Sequence, residues 1–246
     1  MFNPSPLIRS IPILDGHQCL VVDDALIEPQ RWVERACAMR EHFVMEDHNA
    51  YPGVELRMPD GVSERLGEFF VQHIRAHLGA RRVQRVHSRL SIVTLPPETL
   101  RPRQWICHRD RMGLGPEACI GASVLYLFED PALGGTSFFR PRRSAAETDW
   151  LIHQSGELAP AEFSAQFGIA PGYLTQSNAW FEKVLTIPPR YNRMIFYDGM
   201  LFHCSDIPAP QRLSADPAQG RLTLNGFFTC TRSQGSRAPH LDAGTP

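Results

Sequence analysis

From residue 83 onward the apolar residues fall in short runs, each closed by proline or glycine. Val83, Val86, Leu90, Ile92 and Val93 form one run, stopped by Pro96-Pro97. Gln104 to His108 forms a second, and Ala118 to Phe128 a third and longer one. Glu129-Asp130-Pro131 and Gly134-Gly135 then make a turn before Thr136-Ser137-Phe138-Phe139. Met194 to Tyr197 and Arg221 to Phe228 add two more. Short β-branched and aromatic runs with this punctuation predict a mainly β domain, a sandwich or a double-sheet jelly roll.

The first 82 residues read differently. Cys19 to Val22 predicts a buried strand, and Glu28-Pro29 opens a helix over about 29–40, with proline in the first turn. Tyr51-Pro52-Gly53 reads as a turn. The spacing of Val62, Leu66, Phe69, Phe70, Ile74 and Leu78 predicts an amphipathic helix from about 61 to 78. With no Gly/Ser/Pro linker after them, these helices are expected to flank the sheets inside a single domain of residues 1–246. Residues 83–232 would be its jelly-roll core and 233–246 a loose tail. Residues 141–190 interrupt the β pattern, with a helix expected near Glu162–Phe167 and a helical or extended stretch at Asn178–Leu185. An excursion of that length is expected to serve as a binding lid.

Bulk properties exclude some classes. A net charge of −1 gives no reason to expect nucleic acid or a membrane surface as partner. The absence of a membrane-spanning apolar run and of a signal-peptide pattern predicts a cytoplasmic protein. Lys183 is the only lysine among 25 basic residues, which disfavours lysine Schiff-base chemistry. The six cysteines contain no Cys-x-x-Cys pair and read as buried free thiols. Arg81, Arg82, Arg85, Arg89, Arg101, Arg103, Arg109 and Arg111 form a basic run. It reads first as a solvated edge that deters sheet pairing, and second as an attractor for anions.

Within the β region, His108-x-Asp110 is followed by His203 and, eighteen residues later, by Arg221. Two imidazoles and one carboxylate make a three-point face for a divalent iron, with the opposite face open to a chelating cosubstrate and to oxygen. His108 and Asp110, two apart, project to one side if both lie on a strand. Arg221 would hold the far carboxylate of a bound diacid, and Thr223 would point the same way. Taken singly, each residue has a plainer reading as a surface histidine, a core histidine or a salt-bridge partner. Asn192 and Asn225 could add polar groups near such a site or be satisfied turn amides. Trp105, Trp150, Phe163, Phe167, Tyr173, Trp180 and Phe181 read as core, with one or two left over for a pocket. His87 and His153 lack a spaced carboxylate and are not expected to be ligands.

On these residues the chain resembles the iron(II)/2-oxoglutarate-dependent oxygenases, in particular their prolyl-hydroxylase-like branch. The matching features are His108-Arg109-Asp110, Ser123-Val124-Leu125-Tyr126-Leu127, Gly134-Gly135-Thr136-Ser137-Phe138, His203 and Arg221-Leu222-Thr223. Val21-Val22-Asp23-Asp24 and Tyr51-Pro52-Gly53 look like an uncharacterised bacterial subfamily of the same enzymes. The resemblance, over about residues 104–230, implies a double-stranded β-helix with iron(II) on His108, Asp110 and His203. It implies 2-oxoglutarate on Arg221, helped by the hydroxyl of Tyr126 and flanked by Thr223. It also implies oxidation by O2 of a small-molecule or peptide substrate, with release of succinate and CO2. Asp110, in the position a small residue takes in related halogenases, implies hydroxylation. Two other classes stand beside this expectation: a cupin-like zinc or manganese isomerase or hydrolase, and a non-catalytic jelly-roll module that binds a small molecule or peptide. Neither needs a diacid anchor such as Arg221.

Overall fold

The computed structural model describes residues 1–46, 50–110 and 118–232. The expected loose tail, 233–246, and the linker that follows Asp110 lie outside the described residues.

Among the described residues, ten strands form two sheets flanked by four α-helices. The strands are β1 (Ile8–Pro12), β2 (Gln18–Val22), β3 (Gly53–Arg57), β4 (Ala80–Val93), β5 (Ala118–Tyr126), β6 (Thr136–Pro141), β7 (Phe181–Ile187), β8 (Arg193–Asp198), β9 (Phe202–Ser205) and β10 (Arg221–Arg232). The helices are α1 (Gln30–Ala38), α2 (Asp60–His73), α3 (Ala145–Glu157) and α4 (Pro160–Phe167). The large sheet runs β1-β2-β8-β5-β10-β4-β3 and the small one β7-β6-β9, with antiparallel neighbours throughout. A bridge between His108 and His203 adds the segment before β5 to the free side of β9. From β4 onward the chain therefore passes large, small, large, small, small, large, small, large. That is the winding of a double-stranded β-helix, or jelly roll, and the fold is mainly β with flanking helices.

Alternation along β10 shows how the sequence sets the two faces. Leu222, Leu224, Phe228 and Cys230 enter an apolar cluster with Leu66, Phe69 and Phe70 of α2 and Val33 and Ala36 of α1. Arg221, Thr223, Asn225 and Phe227 face the space between the sheets. The i, i+3, i+4 spacing of Leu66, Phe69 and Phe70 is what lays α2 on the back of the large sheet. Phe70 stacks on Phe228 with ring centroids 3.9 Å apart.

Some expectations change. Gln104 to His108 is no strand: residues 102–104 form a 3-10 turn, and only His108 pairs. Pro102 starts that turn, and the Trp105 N–H closes it on the Pro102 carbonyl rather than joining a ladder. The second helix ends at His73, with a 3-10 turn after it closed by Gly79 at φ 64°. β7 lies inside the stretch read as an insertion yet pairs with β6, so the excursion proper is about 142–180. Its first helix, unread in the sequence, starts at a capping box in which Ser144 and Glu147 exchange hydrogen bonds. Both helices pack over the outside of the small sheet, in a separate cluster with Trp105, Phe139, Phe181 and Phe202. Of the arginine run, Arg81, Arg82 and Arg85 lie exposed beyond the 89–93 stretch of β4 that β3 covers, as a solvated edge would, whereas Arg89, Arg103 and Arg109 line the space between the sheets.

Candidate metal centre and anion pocket

Between the sheets lies a cavity of about 590 Å³ whose lining includes His108, Asp110, His203, Arg221, Thr223 and Asn225. The backbone places the two histidines. His108 N–H donates to the His203 carbonyl at 3.0 Å, and His203 N–H to the His108 carbonyl at 2.9 Å. The paired residues put both rings on one side, centroids 4.5 Å apart. Asp110 is held by its own N–H on the Gly199 carbonyl at 2.8 Å. Any β-carbon at position 199 would meet Asp110 Oδ2 at 2.8 Å, so the glycine is what lets the carboxylate lie there.

One ligand atom from each of the three residues falls within 4.8 Å of the others. His108 Nε2 lies 3.7 Å from Asp110 Oδ1, and His203 Nε2 3.7 Å from Asp110 Oδ2. His203 Nδ1 is 2.8 Å from the Leu201 carbonyl. The proton this bond requires leaves the lone pair on Nε2, facing Asp110. Burial pushes His203 down to about 4. Half of the His108 side chain is accessible from the cavity, yet protein encloses it closely enough that desolvation, with His203 beside it, also holds it near 4. Both imidazoles are therefore neutral donors at ordinary pH. Burial raises the Asp110 carboxyl, and its Oδ2 is buried without a hydrogen bond. Two neutral imidazoles around a buried carboxylate oxygen that lacks a donor fit a divalent cation, which would supply the missing partner.

Arg221, the first residue of β10, is 1% exposed. Its Nε donates to the Gly134 carbonyl at 3.1 Å and its Nη2 to the Gly135 carbonyl at 2.7 Å. Among the described residues no carboxylate comes within ion-pair distance of it. The guanidinium instead stands over the rings of Tyr126 and Phe128, at 5.9 and 5.7 Å. A buried cation without a counter-charge is costly, and an anion from solution would relieve it. The two carbonyl bonds leave the Nη1–Nη2 edge, the fork that matches a carboxylate. Side chains are barred from the supporting turn: a β-carbon on Gly134 would meet the Asp206 carbonyl oxygen at 1.6 Å, and one on Gly135 that of Ile187 at 1.9 Å.

The other expected residues fall as follows. Tyr126 lies under Arg221, but its hydroxyl is bonded to Thr136 Oγ1 at 2.8 Å. Thr223 lines the cavity and bonds the Ser91 carbonyl at 3.4 Å. Asn225 lines it too, donating to Ser91 Oγ at 3.0 Å. Asn192 is elsewhere, exchanging 2.9 Å bonds with the backbone of Leu26. Of the aromatic residues, Tyr173 reaches the cavity, while Trp105, Phe163, Phe167 and Phe181 are core.

Sequence reasoning passed over four cavity residues. Tyr51, read only as part of a turn, lies against Thr223 and close to Arg221, with burial raising its hydroxyl to about 12. Gly53 brings it in, since a β-carbon there would meet the Ile92 carbonyl oxygen at 2.0 Å. Tyr197 packs edge-on to His203, centroids 4.8 Å apart. Glu55, 4% exposed, is bonded by Arg89 at 2.8 Å and by Ser91 at 3.1 Å. Arg89 in turn lies over Phe227 at 4.8 Å. Only Gly53 after an aromatic residue offered a sequence signal, because the other contacts join residues far apart in the chain.

The profile of a protein family described as "Family of unknown function (DUF6445)" matches residues 4–228. No curated protein matches the chain in sequence. Among solved structures, it is similar to a Pseudomonas putida prolyl-4-hydroxylase, with 16% identity over 88% of this chain and 94% of that one, at a TM-score of 0.45. It is similar also to the epimerase SnoN from nogalamycin biosynthesis, solved with Fe3+, alpha ketoglutarate and nogalamycin RO. That match has 12% identity over 92% and 87% of the two chains, at a TM-score of 0.43. A third is EvdO2 from Micromonospora carbonacea var. aurantiaca, complexed with 2-oxoglutarate, with 11% identity over 96% and 98% and a TM-score of 0.42.

Proposed function

This chain belongs to the DUF6445 family, and from the chemistry of its cavity we propose that it is an iron(II)/2-oxoglutarate-dependent oxygenase that hydroxylates a C–H bond of a small molecule or peptide. The observation that carries the reading is the pairing of two features in one cavity. His108, Asp110 and His203 bring three metal donors together, and Arg221 offers a buried guanidinium edge with no carboxylate of the described residues to satisfy it.

His108 and His203 would hold iron through their Nε2 atoms and Asp110 through a carboxylate oxygen. Bound there, iron(II) with 2-oxoglutarate and O2 supplies the oxidising chemistry, and the cosubstrate leaves as succinate and CO2. The chain's own contribution is binding and orientation. The backbone bond between His203 Nδ1 and Leu201 keeps the imidazole in the donor tautomer. Arg221 would fix one end of the diacid, with no carboxylate of the described residues within ion-pair distance to compete. The rings of Tyr126 and Phe128 keep water from that guanidinium, which strengthens its hold. Tyr51 and Thr223 offer hydroxyls beside it. Asp110 fills the third protein position with a carboxylate, which favours hydroxyl transfer over halide transfer.

Anaerobic titration of metal-free protein with iron(II), then 2-oxoglutarate, tests this directly. The expected result is the weak visible charge-transfer band of the chelate, absent in His203→Ala and displaced to much higher 2-oxoglutarate concentration in Arg221→Ala. Iron binding without the band would point to a cupin-type metal protein. No iron binding would sink the metal reading and leave a ligand-binding module.

A further inference from the structure

Two of the six cysteines, more than a hundred residues apart in sequence, meet in space. The register of β5 and β10 sets Cys119 directly opposite Cys230. Both side chains lie on the helix-facing side of the large sheet, 5% and 0% exposed. The two thiols are in hydrogen-bonding contact. Cys119 Sγ is also 3.7 Å from the Thr231 carbonyl and Cys230 Sγ 3.5 Å from that of Phe228. Opposed residues of an antiparallel pair have Cα atoms about 4.5–5.5 Å apart. This falls inside the window of about 4.4–6.8 Å that a disulfide needs.

We propose that Cys119 and Cys230 form a dithiol that peroxide oxidises to an intramolecular disulfide, stapling β5 to β10. The location suits the reaction. Cys119 keeps slight exposure while Cys230 has none, so a small oxidant meets Cys119 first. The two sulfurs are chemically unequal as well. Close contact with Cys230 draws the Cys119 thiol below its ordinary range against the effect of burial, while the same contact raises Cys230. Cys119 is therefore the nucleophile.

In the first step the Cys119 thiolate attacks one peroxide oxygen and the O–O bond breaks. This gives a sulfenic acid and, after protonation of the leaving hydroxide, one water. In the second step Cys230 sulfur attacks the sulfenic sulfur, the S–O bond breaks, and a second water leaves with the thiol proton. Two thiols and one peroxide thus become one disulfide and two waters. The staple would stand next to Ile120, whose carbonyl accepts the Gly199 N–H at 2.8 Å, and Gly199 in turn holds Asp110. Oxidation there would stiffen the support of a candidate metal ligand without touching it.

The experiment needs neither metal nor substrate, so it stands apart from the oxygenase reading. Chelator-treated wild-type protein is exposed to a small excess of hydrogen peroxide, unfolded, alkylated with iodoacetamide and weighed. The expected product has lost two hydrogens and carries four alkyl groups, against six for the untreated chain. Tryptic digestion should join the peptide spanning residues 112–142 to that spanning 222–232 until reductant is added. Cys230→Ser should instead accumulate a sulfenic acid at Cys119 that dimedone captures. Six alkylated cysteines after peroxide, or a disulfide joining any other pair, overturns the proposal.

Discussion

Gly199 and Asp110 are joined so closely that the glycine has no room for a side chain. Its carbonyl accepts the Asp110 N–H at 2.8 Å, and a β-carbon would stand 2.8 Å from Asp110 Oδ2 and 3.1 Å from Asp110 Cβ. The carboxylate that completes the candidate metal triad is thus placed by a residue that contributes no donor atom.

Gly199→Ala is therefore expected to displace Asp110 and weaken divalent-metal binding by at least tenfold. Overpacking at such a site costs about 1–3 kcal/mol of stability. Calorimetric titration with manganese(II), beside a urea melt, would check both. Unaltered metal affinity in a stable variant would show that Asp110 is not a ligand.

Arg221→Lys keeps the charge but loses the fork and the paired bonds to Gly134 and Gly135. A charge-assisted bidentate contact is worth about 1.5–3 kcal/mol, so 2-oxoglutarate affinity should fall roughly 10- to 150-fold. Equilibrium binding to the manganese(II)-loaded protein is the measurement, and equal affinities would remove Arg221 from the anion site.

Three histidines are held near 4, against an ordinary 6.5: His108 and His203 chiefly by burial, and His87 by burial and then by Arg89. The unfolded chain takes up protons on them in that window while the folded chain does not. Metal-free protein should thus have its full stability above about pH 6.5 and lose it progressively as pH falls toward about 4. Urea midpoints at about pH 7.5 and about pH 5 in chelator should differ in that direction, and His203→Gln should narrow the gap.

The only lysine has one evident task. Lys183 Nζ is bonded to Asp206 Oδ2 at 3.1 Å and to the Thr175 carbonyl at 2.7 Å. Asp206 Oδ1 is already buried without a hydrogen bond, and the Asp206 N–H donates to the same Gly135 carbonyl that holds Arg221. Lys183→Met strands that carboxylate and should cost about 1–3 kcal/mol, reduced from the fully buried case because Lys183 is partly exposed. A urea melt reads it. Lys183→Met, Asp206→Asn should recover part of the loss.

What the sequence disclosed follows the reach of each signal. The long apolar run of residues 118–128 exposed one central strand, and the residues of 221–228 a second, with the side on which Arg221 and Thr223 stand. His-x-Asp and the distal histidine are short patterns of scarce residue types, legible without knowing the fold. The Gln104–His108 run carried strand-like residues, yet a single bridge sufficed to place His108, and tertiary context prevailed over propensity there. Glu55 and Tyr197 were silent, because each meets the cavity through partners far off in the chain, and Tyr51 carried only the turn signal of Gly53. The pairing of Cys119 with Cys230 was equally hidden, since it depends on the register of strands that are more than a hundred residues apart.

The excursion of residues 142–180 rests on an apolar cluster of its own, outside the small sheet, while the helices behind the large sheet rest on another. Yet Ile152, His153, Tyr173 and Leu174 from that excursion reach the cavity wall. The excursion's cluster also takes in Cys107 and Phe202, chain neighbours of His108 and His203, and Asp149 of α3 pairs with Arg109 at 2.6 Å, so the excursion ties the cavity wall to the segments that carry two of the candidate metal donors. A change in the helices of the excursion would therefore be felt at His108 and His203, whereas a library restricted to the four cavity-facing positions could reshape the wall and leave the buried residues of that packing intact.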